Sequence, residues 1–287
     1  MLLQLTILFD RLRWEEKALK KEGENEGCEA SLLDAKGLVL EVSTPSKRNG
    51  LGDLALQRCI SHYRALYLTK ILENMNLEVV NSSTVTENCG NKLLTTLLLG
   101  KARIPTPKTY IALTPETVPQ AAEALGFPLV MKPMTGSWGR MVSLARDAET
   151  LQSIVELREQ LQNPAEHMYY LQEFVKRPPR DIRAVVAGDE IAACVYRYAP
   201  EGEWRTNVAR GGISKAFKPD EELQELIHRA AQAVGGGVLG VDAMESRDDG
   251  YLIHEVNNTV EFKGAQSATQ GSIPRKIIKY VLSRGKK

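Results

Sequence analysis

Short apolar stretches of strand length take turns with Glu-, Lys- and Leu-rich stretches of helical period along nearly the whole chain. That alternation confines the fold to the α/β or α+β class. Strand-like runs fall at residues 3–9, 37–42, 54–60, 78–81, 110–113, 129–132, 169–175, 181–187, 190–198, 240–245 and 251–257. Helix-like runs fall at 14–23, 62–75, 91–100, 115–125, 148–162 and 221–234. The polar, glycine-containing run at 43–53 reads as a surface loop. I-P-T-P, around Pro105 and Pro107, reads as a stiffened hinge where helix cannot continue. In the second half, V-A-G-D-E-I and S-R-D-D-G-Y join strands by tight turns. An antiparallel sheet carrying helices is therefore expected there. No P-loop consensus occurs, and neither a P-loop nor a Rossmann reading is adopted.

Composition narrows the function. The chain has 287 residues, 43% hydrophobic and 25% charged, with a formal net charge of +1. There is no global field to draw in nucleic acid or an anionic membrane, so neither partner is expected. The apolar start at residues 1–9 has no positive region before it and no small-residue cleavage site after it. It reads as a buried first strand, and the protein as cytoplasmic. Cys28, Cys59, Cys89 and Cys194 are scattered without a C-x-x-C pair and are expected to be reduced, buried and small.

Four features carry chemistry. In V-M-K-P-M-T-G-S-W-G-R, Lys132 ends a strand and a loop with Gly136 and Gly139 follows. A lysine there can set a point charge on a phosphate, and glycines let backbone N–H groups close over phosphate oxygens. A snorkelling lysine beside an ordinary turn reads equally well. In Y-L-Q-E-F-V, the strand end with Gln172 and Glu173 could read an adenine and hold ribose hydroxyls; a plain strand end is the alternative. The third feature pairs G-V-D-A-M-E with H-E-V-N-N. Strand alternation puts Glu255 and Asn257 on one face, and a hairpin would bring Asp242 beside them. Two carboxylates and an amide oxygen make a hard-oxygen set suited to Mg²⁺. On the same alternation His254 should face away and be structural. The fourth is a recurrence of cationic and amide groups at Arg180, Arg183, Arg197 and W-R-T-N, where arginine suits bidentate recognition of carboxylate or phosphate. Each arginine taken singly reads as a solvated surface residue.

In this order, G-N-K-L-L-T, V-M-K-P, G-S-W-G-R, Q-E-F-V, R-D-I-R, W-R-T-N, G-V-D and H-E-V-N-N-T-V-E-F-K resemble the ATP-grasp family in its RimK-like branch. They resemble in particular the LysX-type ligases of amino-group-carrier lysine biosynthesis. F-D-R-L-R-W-E-E-K and Q-R-C-I-S-H-Y-R-A near the start are similar to the same group. The resemblance implies an N-terminal pre-grasp domain (1–88), a small central α+β domain (89–175) and a C-terminal antiparallel domain (176–287), with ATP between the last two. It implies that Lys92 and Lys132 bind phosphates under a loop of Gly136, Ser137, Trp138, Gly139 and Arg140. Gln172, Glu173, Phe174 and Val175 would form the adenine hinge. Asp181 would join the nucleotide site, and Arg183, Arg197 and Asn207 would approach the γ-phosphate or the reacting groups. Asp242, Glu255 and Asn257 would hold Mg²⁺. Asn258, Thr259, Glu261, Phe262, Gly264 and Ala265 would surround the amino-acid substrate.

The implied reaction phosphorylates a carboxylate with ATP and then lets an amine displace phosphate. In LysX-type enzymes the carboxylate is the C-terminal Glu side chain of the acidic carrier LysW, and the amine is that of 2-aminoadipate. After E-F-K, aminoadipate ligases have Asn followed by Ser or Thr, and the glutamate-using relatives of arginine biosynthesis have Gly-Phe. Gly264 and Ala265 match neither pattern. Preference for 2-aminoadipate with acceptance of glutamate is expected, because one methylene gives only about 1–3 kcal/mol of discrimination. A homo-oligomer is also expected. Lys176, Arg177, Arg180 and the basic residues at 275–279 are docking candidates for the acidic carrier, or an ordinary solvated face. The competing readings are a RimK-like glutamate ligase acting on another protein tail or on a cofactor, and a non-catalytic ATP-binding switch.

Overall fold

The computed structural model describes residues 2–43, 50–136, 139–206 and 213–285. Three sheets organise them. In the first, β1 (Gln4–Phe9), β2 (Glu29–Asp34), β3 (Leu54–Gln57) and β4 (Glu78–Val80) run parallel in the order β2-β1-β3-β4. Helices α1 (Trp14–Asn25), α2 (His62–Asn74) and α3 (Ser83–Gly90) accompany them. The second sheet, β5-β8-β6-β7, is antiparallel. It comprises β5 (Thr109–Ala112), β6 (Leu129–Lys132), β7 (Ser143–Ala145) and β8 (Tyr169–Glu173). α5 (Val118–Leu125) and α6 (Ala148–Glu159) pack into its core beside Leu129, Met131 and Leu171.

The third sheet contains β9 (Arg180–Ala187), β10 (Glu190–Tyr198), β11 (Ile213–Ala216), β12 (Val238–Ser246) and β13 (Gly250–Asn257), in the order β11-β10-β9-β12-β13. All its pairings are antiparallel, as the hairpin turns imply. One face, with Ile182, Ala184, Val186, Leu239 and Val241, is covered by α4 (Lys92–Lys101) and α7 (Glu221–Val234). The other face splits in two. Val185 and Val195 pack against α9 (Ile273–Arg284), which also seals Leu5, Ile7 and Leu54 of the first sheet. Farther along the same strands, alternate positions are charged and face a cavity. Between β13 and α9 lies the short helix α8 (Lys263–Ala268).

Local chemistry sets the helix starts. Asn91 accepts the amide of Leu93 at 2.9 Å and so begins α4 with Lys92 in its first turn. Asp220 accepts from Leu223 at 2.9 Å and starts α7, which ends at Gly235 with φ of 114°. The glycine spacing from Gly235 to Gly240 formally fits G-x-G-x-x-G. It runs from helix into strand, the reverse of the strand-to-helix turn that cradles a dinucleotide.

Residues 37–42 do not form the expected strand. A 3₁₀ turn at Ala35–Gly37 is followed by irregular chain in which Val39 is almost fully exposed. The ladder beside β1 is filled by β2, which the alternation did not single out. The strand expected over 54–60 stops at Gln57, where Asp10 takes up the amides of Ile60 and Ser61.

Candidate active site

A cavity of about 740 Å³ lies against the second and third sheets and reaches the β1–α1 turn of the first. Its charged wall is a row across neighbouring strands. Arg197 of β10 stands opposite Asp181 of β9, and Arg183 of β9 opposite Asp242 of β12. Asp242 in turn faces Glu255 of β13. Arg197 grips Asp181 through two bonds of 2.7 Å and reaches Asp242 at 3.2 Å. Arg183 holds both oxygens of Asp242, one at 2.8 Å. The Thr206 hydroxyl donates to Asp181. Gly240 leaves room for this packing, because a Cβ there would sit 2.8 Å from Val260 and 3.3 Å from the Arg183 guanidinium.

Opposite this row, Lys92 brings its ammonium to 3.4 Å from Glu255 and 2.9 Å from the Gly136 carbonyl. Lys132 donates to the Gln172 amide oxygen at 2.6 Å, while Gln172 donates to the hydroxyls of Thr109 and Tyr170. Gly139, Arg140, Glu173, Phe174 and Val175 line the same cavity. Glu173 also accepts the Lys108 amide at 2.6 Å. The expected Ser137, Trp138 and Asn207 lie outside the described residues.

Burial and charge set the ionisation. Lys132 is pushed down to about 8, first by loss of solvent and then by the neighbouring positive Lys92 and Arg177, with Glu255 pulling the other way. Burial alone would raise Asp242, but Arg183 and Arg197 outweigh it and hold the carboxyl well below its ordinary range. Glu255 is likewise lowered, against its burial, chiefly by Lys92. Arg197, opposed by burial, is raised by Asp181 and Asp242. Two ionised carboxylates in register, with the Asn257 amide 3.4 Å from Asp242, are hard donors of the kind Mg²⁺ takes. Among the described residues no three His, Cys, Asp or Glu side chains converge as a metal site, so an amide is needed to complete the set.

His254 departs from expectation. It lines the cavity instead of facing away, because the β12–β13 register slips between Asp242 and Ala243 and leaves His254 as the extra residue of a bulge. Both of its ring nitrogens are buried without a hydrogen-bond partner. Burial first, then Lys132, lowers it to about 4 and keeps it neutral.

Thr259, Glu261, Gly264 and Ala265 line the same cavity. Asn258 and Phe262, expected with them, are not on its wall. Phe262 is fully buried against Trp14, since an aromatic gains more from the core than from a polar wall. Arg13, Trp14, Glu15, Arg177 and Thr206 also line the cavity and were not singled out as site residues. Thr206 lay inside a noted motif; nothing in the spacing ties Arg13 to Glu261. The basic docking candidates are largely paired. Arg180 binds Glu245 at 2.8 Å and stacks 3.9 Å over Tyr196, Arg275 binds Glu26, and Lys276 binds Glu190.

Known proteins share this architecture. The RimK-like ATP-grasp domain model matches residues 89–281, and the LysX preATP-grasp domain model matches residues 5–88. The alpha-aminoadipate–LysW ligase LysX of Saccharolobus solfataricus is 41% identical over 251 residues, covering 88% of this chain and 90% of that protein. The glutamate–LysW ligase ArgX of Sulfurisphaera tokodaii is 37% identical over 280 residues, covering 97% of this chain and 98% of that protein. Among solved structures, a RimK domain ATP-grasp protein from Sphaerobacter thermophilus superposes with a TM-score of 0.80 at 26% identity, covering 97% of this chain and 99% of that one. The expected ATP-grasp architecture, with a pre-grasp region ahead of a mixed α and β core, is borne out. With domain matches over most of its length and close relatives of nearly its own extent, the chain belongs to the RimK-like ATP-grasp family, which uses ATP, and carries a LysX preATP-grasp domain.

Proposed function

We propose that the protein is an ADP-forming ligase that joins the amino group of 2-aminoadipate, and more weakly glutamate, to the C-terminal Glu side chain of a LysW-type acidic carrier. The observation that carries this reading is one cavity lined by two chemically different sets of residues. Lys92, Lys132, Asp242, Glu255 and Asn257 form one set, and Thr259, Glu261, Gly264 and Ala265 the other. The names of the LysX and ArgX relatives supply the carrier and the two amino acids. Tetrahydromethanopterin:alpha-L-glutamate ligase of Methanosarcina acetivorans is more distant, at 29% identity, and the cofactor-modifying alternative is not favoured.

Lys92 and Lys132 would take the nucleotide phosphates, with Gly136, Gly139 and Arg140 over them and Gln172 to Val175 along the base. Asp181 would act through Arg197, which it holds. Asp242, Glu255 and Asn257 would hold Mg²⁺, which when bound neutralises phosphate charge. Arg183 and Arg197, fixed by Asp242 and Asp181, would stabilise charge on the transferring phosphoryl group without reorganising. The carrier carboxylate would attack the γ-phosphorus, releasing ADP. The amine would then attack the acyl-phosphate carbon, and phosphate would leave with its electron pair.

No helix in the described residues is long and apolar enough to cross a membrane. The four cysteines are all free and buried, which fits a reducing cytoplasm. The deciding experiment is mass spectrometry of purified carrier after incubation with the enzyme, ATP, Mg²⁺ and each amino acid. A carrier heavier by one aminoadipyl residue supports the reading. An unmodified carrier with both amino acids overturns it, and strict use of glutamate overturns the stated preference.

A further inference from the structure

Residues 258–263, which leave β13 and enter α8, are held one after another from the first region of the chain. Asn81 donates to the Asn258 carbonyl at 2.8 Å, and the Thr259 hydroxyl donates to the Cys59 carbonyl at 3.3 Å. Arg58 donates to the Val260 carbonyl at 2.8 Å, and Arg13 meets Glu261 at 3.2 Å. Glu15 accepts the amides of Phe262 at 3.3 Å and Lys263 at 3.1 Å. Thr259, Glu261, Gly264 and Ala265 therefore reach the cavity on a backbone whose shape is dictated by residues up to 248 positions away.

Arg58 is the centre of this clamp. It is 1% exposed, pairs with buried Glu16 at 3.3 Å and sits 5.9 Å from the Phe262 ring. It is not on the cavity wall; it reaches the cavity through residues 258–263 and through Arg13, which shares Glu16 with it and donates to its carbonyl at 3.4 Å. A buried arginine with a carboxylate, a carbonyl and a ring around it is costly to desolvate and is a weak source of stability. Its geometric effect is definite: it fixes the carbonyl of Val260 between Thr259 and Glu261.

We infer that Arg58, with Asn81, is a positioning residue that sets amino-acid selection from outside the pocket. The inference rests on the proposed ligase reading. Arg58→Lys keeps the charge beside Glu16 but cannot span Glu16 and the Val260 carbonyl together. Asn81→Ser is a second variant that removes the bond to Asn258, together with those to Val238, without touching a buried charge. In steady-state assays with saturating carrier, each variant raises KM for the amino acid about tenfold and changes the aminoadipate-to-glutamate ratio of kcat/KM at least about threefold, with KM for ATP within about twofold. In parallel, hydrogen exchange of the amides at 258–268 accelerates about tenfold while β12 beyond Val238 and the first residues of β13 are unchanged. Equal rises in KM for ATP and amino acid, or exchange that is unchanged or accelerated throughout the third sheet, would overturn the inference. If the wild type turns over neither amino acid, the ligase reading fails, and hydrogen exchange alone still decides whether Arg58 shapes these residues.

Discussion

Asp242 and Glu255 face each other across the β12–β13 ladder, and each carboxylate has its own cation: Arg183 for Asp242, and Lys92 for Glu255. Like charges directly opposite on a sheet repel, so the pair exists only because the surrounding cations hold both groups ionised. Such a pair is already charged when a divalent cation arrives.

The two carboxylates should separate under mutation. Glu255→Gln and Asp242→Asn are each expected to lower kcat by at least about a hundredfold. They should also lose the part of ADP-induced thermal stabilisation that depends on Mg²⁺. Their stabilities should differ. Asp242 is 2% exposed, and losing its charge strands Arg183 and leaves Arg197 with Asp181 alone, at a cost of about 3 kcal/mol. Lys92 and Glu255 are more open, and Glu255→Gln should cost under about 1 kcal/mol. Urea unfolding of both variants gives the order; a reversed order sinks the argument.

Lys132 gives a proton signature. With its ammonium depressed to about 8, the free protein carries it partly neutral just above that pH. A polyphosphate beside it favours the charged form, so ATP binding at pH 8.5 should draw in a proton, and binding at pH 6.5 should not. Calorimetry in two buffers of different ionisation enthalpy measures the uptake directly. Lys132→Met should abolish it, and an uptake that survives in that variant means another group is responsible.

Asp10 links pH to stability at the β1–α1 turn, where it holds the amide of cavity-lining Ile60. Burial would raise its carboxyl, but the amides of Ile60 and Ser61 and the Arg64 guanidinium lower it below the ordinary aspartate value. A depressed carboxylate contributes stability above its unfolded pKa and loses it as pH falls through the folded one. Asp10→Asn is expected to cost about 1–2 kcal/mol at pH 7 through weakened charged hydrogen bonds. The gap from wild type should close on acidification below the ordinary aspartate range. A constant difference across that window would show that shape, not charge, holds the Ile60 turn.

Period-2 alternation made the third sheet legible, and it brought Asp242, Glu255 and Asn257 to one wall before any coordinates. The same rule misplaced His254, because a bulge is a register event that depends on the partner strand. It also promoted residues 37–42, whose apolar pattern satisfies a strand that has no ladder to join. The clamp by Arg58, Asn81 and Glu15 was invisible for a different reason. Its partners are backbone carbonyls and amides, which leave no residue-type signature. Phe262 was assigned to the pocket from its place in a motif; its size takes it into the core.

The junction of Gly237 with Asn81 tests how tightly the first region is keyed to the third sheet. Gly237 has φ of 116°, and a Cβ there would lie 2.1 Å from the Asn81 Oδ1 that accepts the Val238 amide. Gly202 has φ of 77° with nothing within 4 Å of its Cβ position. Gly202→Ala should therefore report backbone strain alone, about 1 kcal/mol. Gly237→Ala should add the collision and a lost buried hydrogen bond, about 3 kcal/mol in all. In an Asn81→Ala background the colliding atom is gone, so the further cost of Gly237→Ala should fall to its backbone strain alone. The interaction term in that double-mutant cycle is then about 2 kcal/mol. Simple additivity of the two changes would mean that Asn81 moves aside freely, and that the keying of residue 258 through the same amide is weaker than its geometry indicates.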